Sequence, residues 1–216
     1  MVNFYSLDGI TTTPAKEIRY LGTYITATLN RNNTVHARCK QALKNAKILK
    51  KLIEESRMEW QTRRLLYKMV IEPTMIYGLK CAAITKANRA KLRRYERIIL
   101  RDLLNNTGPH HTKIHEILNG KTVTKRIKCL RMCYYGHILR RPTPHLLNAA
   151  YQYQAIKLKV GRPIFTWIDS LTQDMKYYNK NPTEWADIAI NKTEFIKAAQ
   201  EIYELAETDS EPEEEL

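Results

Sequence analysis

Three residues of metal-binding type recur at every fourth position in CLRMCYYGHILRR: Cys129, Cys133 and His137. On a helix they share one face. Ligands at i, i+4 and i+8 nevertheless spread over about 12 Å of axis, too far for the outer two to reach one ion at about 2.0–2.3 Å. Cys133 and His137 hold an ion only if His110, His111 or His115 converges on them. The pattern therefore reads as buried thiols beside a hydrogen-bonded histidine, with no metal site and no cofactor expected.

A second pattern suits phosphate. Arg89, Arg93, Arg97 and Arg101 follow one another at four-residue steps. Like charges at this spacing cost about 0.2–0.5 kcal/mol per pair, and Glu96 and Asp102 are the acids near enough to relieve them. A row of guanidinium forks matches phosphate oxygens, because each offers several donors in a fixed plane. Lys44, Lys47 and Lys51, with Arg38 and Lys40, mark the polar face of an earlier helix. Arg126, Arg140 and Arg162 add further cations, and Arg162 sits between Gly161 and Pro163 in a basic loop where a phosphate is met with little desolvation.

The groups needed for catalysis are missing. Two-metal nucleotidyl transfer needs closely placed carboxylates, usually adjacent acids on a turn, and the sequence has no Asp-Asp pair. It also has no GxxxxGK[ST] phosphate loop, no GxSxG elbow and no HExxH pair. Asp102, Asp169 and Asp174 read as helix caps or surface partners. No catalytic residue is assigned.

Composition points the same way. With 36 Lys and Arg against 22 Asp and Glu, the 216-residue chain carries +14, a balance that attracts polyanions. ETDSEPEEEL, from Glu207, is wholly acidic in its charge and leaves roughly +20 on the remainder. No apolar run approaches the length of a membrane span, and the first residues lack a signal-peptide core, so an intracellular protein, nuclear or cytoplasmic, is expected. Four scattered cysteines (Cys39, Cys81, Cys129, Cys133) fit reduced thiols better than a disulfide framework.

These residues must be carried by a mainly α fold. VNFYSL and IRYLGTYITATL, rich in β-branched and aromatic residues, predict two strands of one N-terminal hairpin within residues 1–30. From Asn32 the apolar period becomes helical, with Val35, Cys39, Ala42, Ala46, Leu49 and Ile53 on one face. A second helix, kinked at Pro73, places Trp60, Leu65, Met69, Val70 and Ile76 inward. A third runs from a Thr85 cap to about Leu104 with Leu92, Tyr95, Ile99 and Leu103 as its core stripe. A short helix ends at Gly120, a longer one ends before Pro142, and another carries Trp167, Ile168, Leu171 and Met175. The organisation reads as 1–30 hairpin, 31–106 helical bundle, 107–205 C-terminal helices and 206–216 acidic tail.

Four stretches in order, within about residues 17–177, resemble the reverse transcriptases of non-LTR (LINE-type) retrotransposons. They are IRYLGTYI, LLYKMVIEPTMIYGLKCAAITKANRAKLRRYERIILRDLL, KRIKCLRMCYYGHILRRP and GRPIFTWIDSLTQDM. The resemblance implies a piece C-terminal to the catalytic palm, without the palm's Asp-Asp motif and without the endonuclease. Tyr20, Leu21 and Gly22 would match the primer-grip hairpin, and the helices after it the thumb that holds primer and template. Cys129, Cys133 and His137 do not reproduce the spacing of the zinc knuckle that some members carry. The expected partner is nucleic acid (RNA, DNA or their hybrid), bound through phosphates, and a polymerase supplying the palm in trans would be a dependent partner. The alternatives are a helical protein-interaction module and a retrotransposon remnant without function.

Overall fold

The two predicted strands do not pair with each other: Tyr5–Leu7 of VNFYSL pairs with Ile10–Thr12, and IRYLGTYITATL folds back on itself. The sequence predicts one hairpin, but the computed structural model has two, β1 (Tyr5–Leu7) with β2 (Ile10–Thr12) and β3 (Glu17–Tyr20) with β4 (Thr23–Thr26). Each pairs antiparallel across a two-residue link, Asp8-Gly9 or Leu21-Gly22. An Xaa-Gly link is the shortest that closes a hairpin, so both strand segments pair locally before either can reach the other. The structure describes residues 5–7, 10–12, 15–26, 32–104, 118–142, 145–152, 165–178 and 180–205. Helices make up most of it, as the apolar periodicity predicts.

Helix α1 (Asn32–Ser56) buries Val35, Cys39, Ala42, Ala46 and Ile53, the expected stripe, with Leu49 packed at its edge. The next stretch departs from expectation. Between α2 (Trp60–Leu66) and α3 (Glu72–Ile76), residues Tyr67–Ile71 form a π turn in which the Glu72 amide reaches back to the Tyr67 carbonyl. Pro73 has no amide to donate and its ring crowds the carbonyl four residues earlier, and a widened turn ahead of it relieves both problems. In a wider turn, four-residue steps stay in line, so Tyr67, Ile71, Met75 and Leu79 become the buried set. Trp60, Leu65 and Met69, predicted inward, are exposed, while Val70 and Ile76 are only half-buried.

Helix α4 (Lys86–Leu104) starts where expected, the Thr85 hydroxyl accepting from the Asn88 amide at 3.3 Å. Leu92, Ile99, Leu100 and Leu103 are buried and Tyr95 lies at the margin. Glu96 lies inside the bundle, not on its surface. It is 2% exposed and accepts the Tyr67 hydroxyl at 2.8 Å and the Val123 amide at 2.9 Å. A carboxylate is favoured there because Val123 opens α5 (Val123–Leu139), whose first amides have no partner inside the helix.

The short helix expected before Gly120 lies largely outside the described residues. Gly120 itself adopts φ 68°, in the left-handed region open to glycine. Helix α5 runs through two buried clusters: Val123 and Ile127 join the core of α1, α3 and α4, while Cys129, Met132 and Tyr135 join a second core. That second core is built with α7 (Trp167–Met175), α8 (Pro182–Ile188) and α9 (Lys192–Gln200); α6 (Leu146–Gln152) brings Tyr151 to its edge. Asp169 caps α7 in a reciprocal box with Thr166, and Asn181 with Glu184 caps α8 in the same way. Asp174 is buried, not a surface partner, and pairs with Arg131 of α5. The Ile84 amide donates to Ser170 Oγ at 3.0 Å and ties the two halves.

Gly136 has a packing role. A Cβ built on it would lie 2.6–2.9 Å from three carbons of the Phe195 ring. Phe195 is 1% exposed and its ring lies 5.1 Å from that of Trp185, so it has little room to retreat. Gly136→Ala gains about 1 kcal/mol of helix propensity but overpacks a rigid site at a cost of about 1–3 kcal/mol. We expect a net loss of up to about 2 kcal/mol in urea unfolding, recovered in part by Phe195→Leu in the same chain; a stabilised Gly136→Ala protein would contradict this packing.

Candidate nucleic-acid interface

The Tyr20–Leu21–Gly22 turn stands out from the helices. Tyr20 pairs with Thr23, Leu21 and Gly22 have φ of 45° and 75°, and the Thr23 hydroxyl donates to the Tyr20 carbonyl at 2.8 Å. Positive φ at both central positions gives the twist a two-residue hairpin needs, and for Leu21 it is a strained conformation. Tyr20 and Leu21 are 61% and 70% exposed, so the strain is not offset by burial of either side chain.

The turn is held from beneath by Arg38. Its guanidinium donates to the Gly22 carbonyl at 2.6 Å and lies 4.3 Å from the centre of the Tyr77 ring. Burial pushes this guanidinium's pKa down, opposed by Tyr77. Gly78, at φ 74°, lets Thr23 approach where a Cβ would meet its methyl at 2.6 Å. The Tyr24 amide donates to Thr34 Oγ1 at 2.9 Å. Arg38, read from sequence as part of the polar face of α1, is therefore a structural clamp. The helical phase carries the signal: position 38 lies about 40° from Ala42, toward the inner half of the helix, and about 120° from Lys44 and 140° from Lys51.

Lys44, Lys47 and Lys51 are exposed along the outer face of α1, and Lys40 extends the row by one turn. The arginine row behaves differently. Four-residue steps overshoot a turn by about 40°, so the row winds around α4. Arg89 is half-buried and donates to Gln173 on α7, Arg93 and Arg97 are half-buried, and Arg101 is exposed. Lys91, on the other flank, lies near enough to Cys39 of α1 to oppose the rise to about 11 that burial gives that thiol. Arg94, which the four-residue pattern passes over, is exposed.

The remaining predicted cations are engaged by protein or lie elsewhere. Arg126 donates to the Tyr203 hydroxyl at 3.2 Å and stands 4.0 Å from Glu72. Arg140 donates to the Ala189 carbonyl at 3.1 Å. Arg162 falls outside the described residues. The basic look of α5 is largely internal: Lys125 donates to the Leu205 carbonyl at 2.7 Å, Lys128 lies 3.4 Å from the centre of the Tyr177 ring, and Arg131 pairs with Asp174.

The opening cysteine pattern also resolves. The Cys133 thiol hydrogen-bonds Cys129 and lowers its pKa, with the Tyr203 hydroxyl acting in the same direction. His137 Nε2 accepts from Arg141 Nε at 3.3 Å. Among the described residues no three Cys, His, Asp or Glu side chains converge as metal ligands, and no helix is long and apolar enough to cross a membrane. Comparison with protein-family models, with curated proteins and with solved structures found no match.

Removing the Arg38 clamp tests how the turn is held. Arg38→Ala forfeits a charge-assisted hydrogen bond and a cation–π contact, together about 2–4 kcal/mol of local stability. We expect amide exchange in Tyr20–Tyr24 to accelerate at least tenfold while α4 and α5 exchange unchanged. Unaltered exchange in the turn would show that Thr34 and Gly78 suffice.

Proposed function

We propose that the chain is a nucleic-acid-binding module that holds phosphate backbones electrostatically, of the kind found beyond the palm in LINE-type reverse transcriptases. In this reading the Tyr20–Gly22 turn is the primer-grip element and α1–α4 the thumb-like bundle. The observation that carries it is the exposed row Lys40, Lys44, Lys47 and Lys51, which is spaced along about 16 Å of α1. The net charge of +14 supports it by drawing any polyanion toward the surface. Arg94 and Arg101, exposed on α4, are the arginines best disposed to add contacts.

Binding, not catalysis, is the proposed activity, since these residues hold no Asp-Asp pair. Recognition is proposed to be independent of base sequence, because contacts to phosphates alone carry no sequence information. A polymerase supplying the palm in trans is the partner this reading implies. One observation favours a second reading, a protein-interaction module: Ile48 and Leu52 on α1 and Leu65 and Met69 next to the π turn are 45–66% exposed.

The lysine row separates the two readings. Lys44→Glu, Lys47→Glu and Lys51→Glu combined should weaken binding of a labelled RNA–DNA hybrid by about tenfold or more at low salt. The three Lys→Arg changes should leave it within about twofold, since charge and reach are kept. Equal affinity for the Glu and Arg variants by fluorescence anisotropy would remove α1 from the interface.

A further inference from the structure

The last described residues meet a crowd of positive charge. The Leu205 carbonyl is held by Lys125 Nζ at 2.7 Å, so the acidic segment that follows departs from a fixed point. Two residues earlier, the Tyr203 hydroxyl accepts from Arg126 at 3.2 Å, and Lys121 Nζ lies 5.4 Å from the centre of the Tyr203 ring. Lys68, on the π turn, joins them: after burial, the charges of Arg64, Lys121 and Arg126 act to lower its pKa, while Glu72 opposes them. The Glu72 side chain is 14% exposed and stands 4.0 Å from Arg126, and burial pushes its carboxyl up despite Arg126, Lys68 and Lys121. Three cations therefore converge on one poorly solvated carboxylate, leaving a local excess of positive charge.

We propose that the ligand of this cluster is the chain's own acidic segment, Glu207 to Glu215, which folds back onto Lys68, Lys121 and Arg126. Glu207 is two residues beyond the anchored Leu205, within about 7 Å of chain, so the first carboxylate reaches the cluster with almost no loop to close. The segment holds six acids among nine residues, a charge density that three clustered cations complement. Tethering gives it an effective concentration on the order of millimolar without any new contact. The docked segment occupies basic surface that an external polyanion would otherwise use. This inference does not rest on the nucleic-acid reading, since the tail can dock whether or not the chain binds RNA or DNA.

The test is amine reactivity, read by mass spectrometry after brief acetylation of the full chain. The comparison is a full-length variant carrying Glu207→Gln, Asp209→Asn, Glu211→Gln, Glu213→Gln, Glu214→Gln and Glu215→Gln, which leaves every residue of the cluster unchanged. At low salt Lys68 and Lys121 should react about threefold or more slowly in the native chain than in the variant, and the ratio should fall toward one near 0.5 M salt as screening takes hold. Lys44 and Lys47 on α1 should react alike in both. Equal rates at Lys68 and Lys121, or slowing shared equally by Lys44 and Lys47, would overturn a docking site at this cluster.

Discussion

The Glu96 carboxylate is the interaction on which the remaining arrangement depends. It is withdrawn from water and accepts donors from two other elements, the Tyr67 hydroxyl of the π turn and the first amide of α5. Each of those donors, left buried and unpaired, would cost about 1–3 kcal/mol, and a buried carboxylate without them would cost more. Only one rotation of α4 satisfies all three groups. That rotation turns Arg89 toward α7, Lys91 toward α1 and Arg101 to solvent. The same contact sets the start of α5, which then passes through both cores.

From this follows a division of the cations into two populations. Of the α5 cations, Lys125, Lys128 and Arg131 are buried and spent inside the protein, while Arg126 stays partly exposed. Arg131, 2% exposed, meets Asp174, 0% exposed, and burial raises the Asp174 pKa and lowers that of Arg131, so desolvation outweighs their mutual attraction. Such a pair fixes position more than it adds stability. Its counterpart is α1, whose lysines have no such interior task and project from the outer face. A high net charge on this chain therefore overstates its binding surface, and position on the fold decides which cations are available.

Much of this was legible in the sequence, for identifiable reasons. The stripe of α1, the Thr85 start of α4 and the capping role of Asp169 follow from spacing and cap chemistry, which act within one or two turns. The inward face of this region differs from the sequence reading because the π turn at Tyr67–Ile71 keeps Tyr67, Ile71 and Met75 in line on the core side, which leaves Trp60, Leu65 and Met69 off that face. The sequence sets Glu96 beside the arginine row but cannot show its burial, because its partners Tyr67 and Val123 are 29 and 27 residues away. The interior roles of Arg38, Lys125 and Arg131 are illegible in the sequence for the same reason: the Gly22 carbonyl, the Leu205 carbonyl and Asp174 exist as partners only once the chain is folded. Two hairpins form where the sequence predicts one, because Leu7 pairs with Ile10 and Tyr20 with Thr23, so each strand finds its partner only a few residues on.

The most direct test of electrostatic phosphate binding is the salt dependence of affinity for an RNA–DNA hybrid, measured by anisotropy from 50 to 200 mM salt (about fourfold in concentration). Four lysines of α1 engaging four phosphates give a slope of log affinity against log salt of about −3 to −4. A linear fall of that size, equal for hybrids of unrelated sequence, is the result this account predicts. A flat salt dependence, or no binding at low salt by a chain shown to be folded, would contradict it.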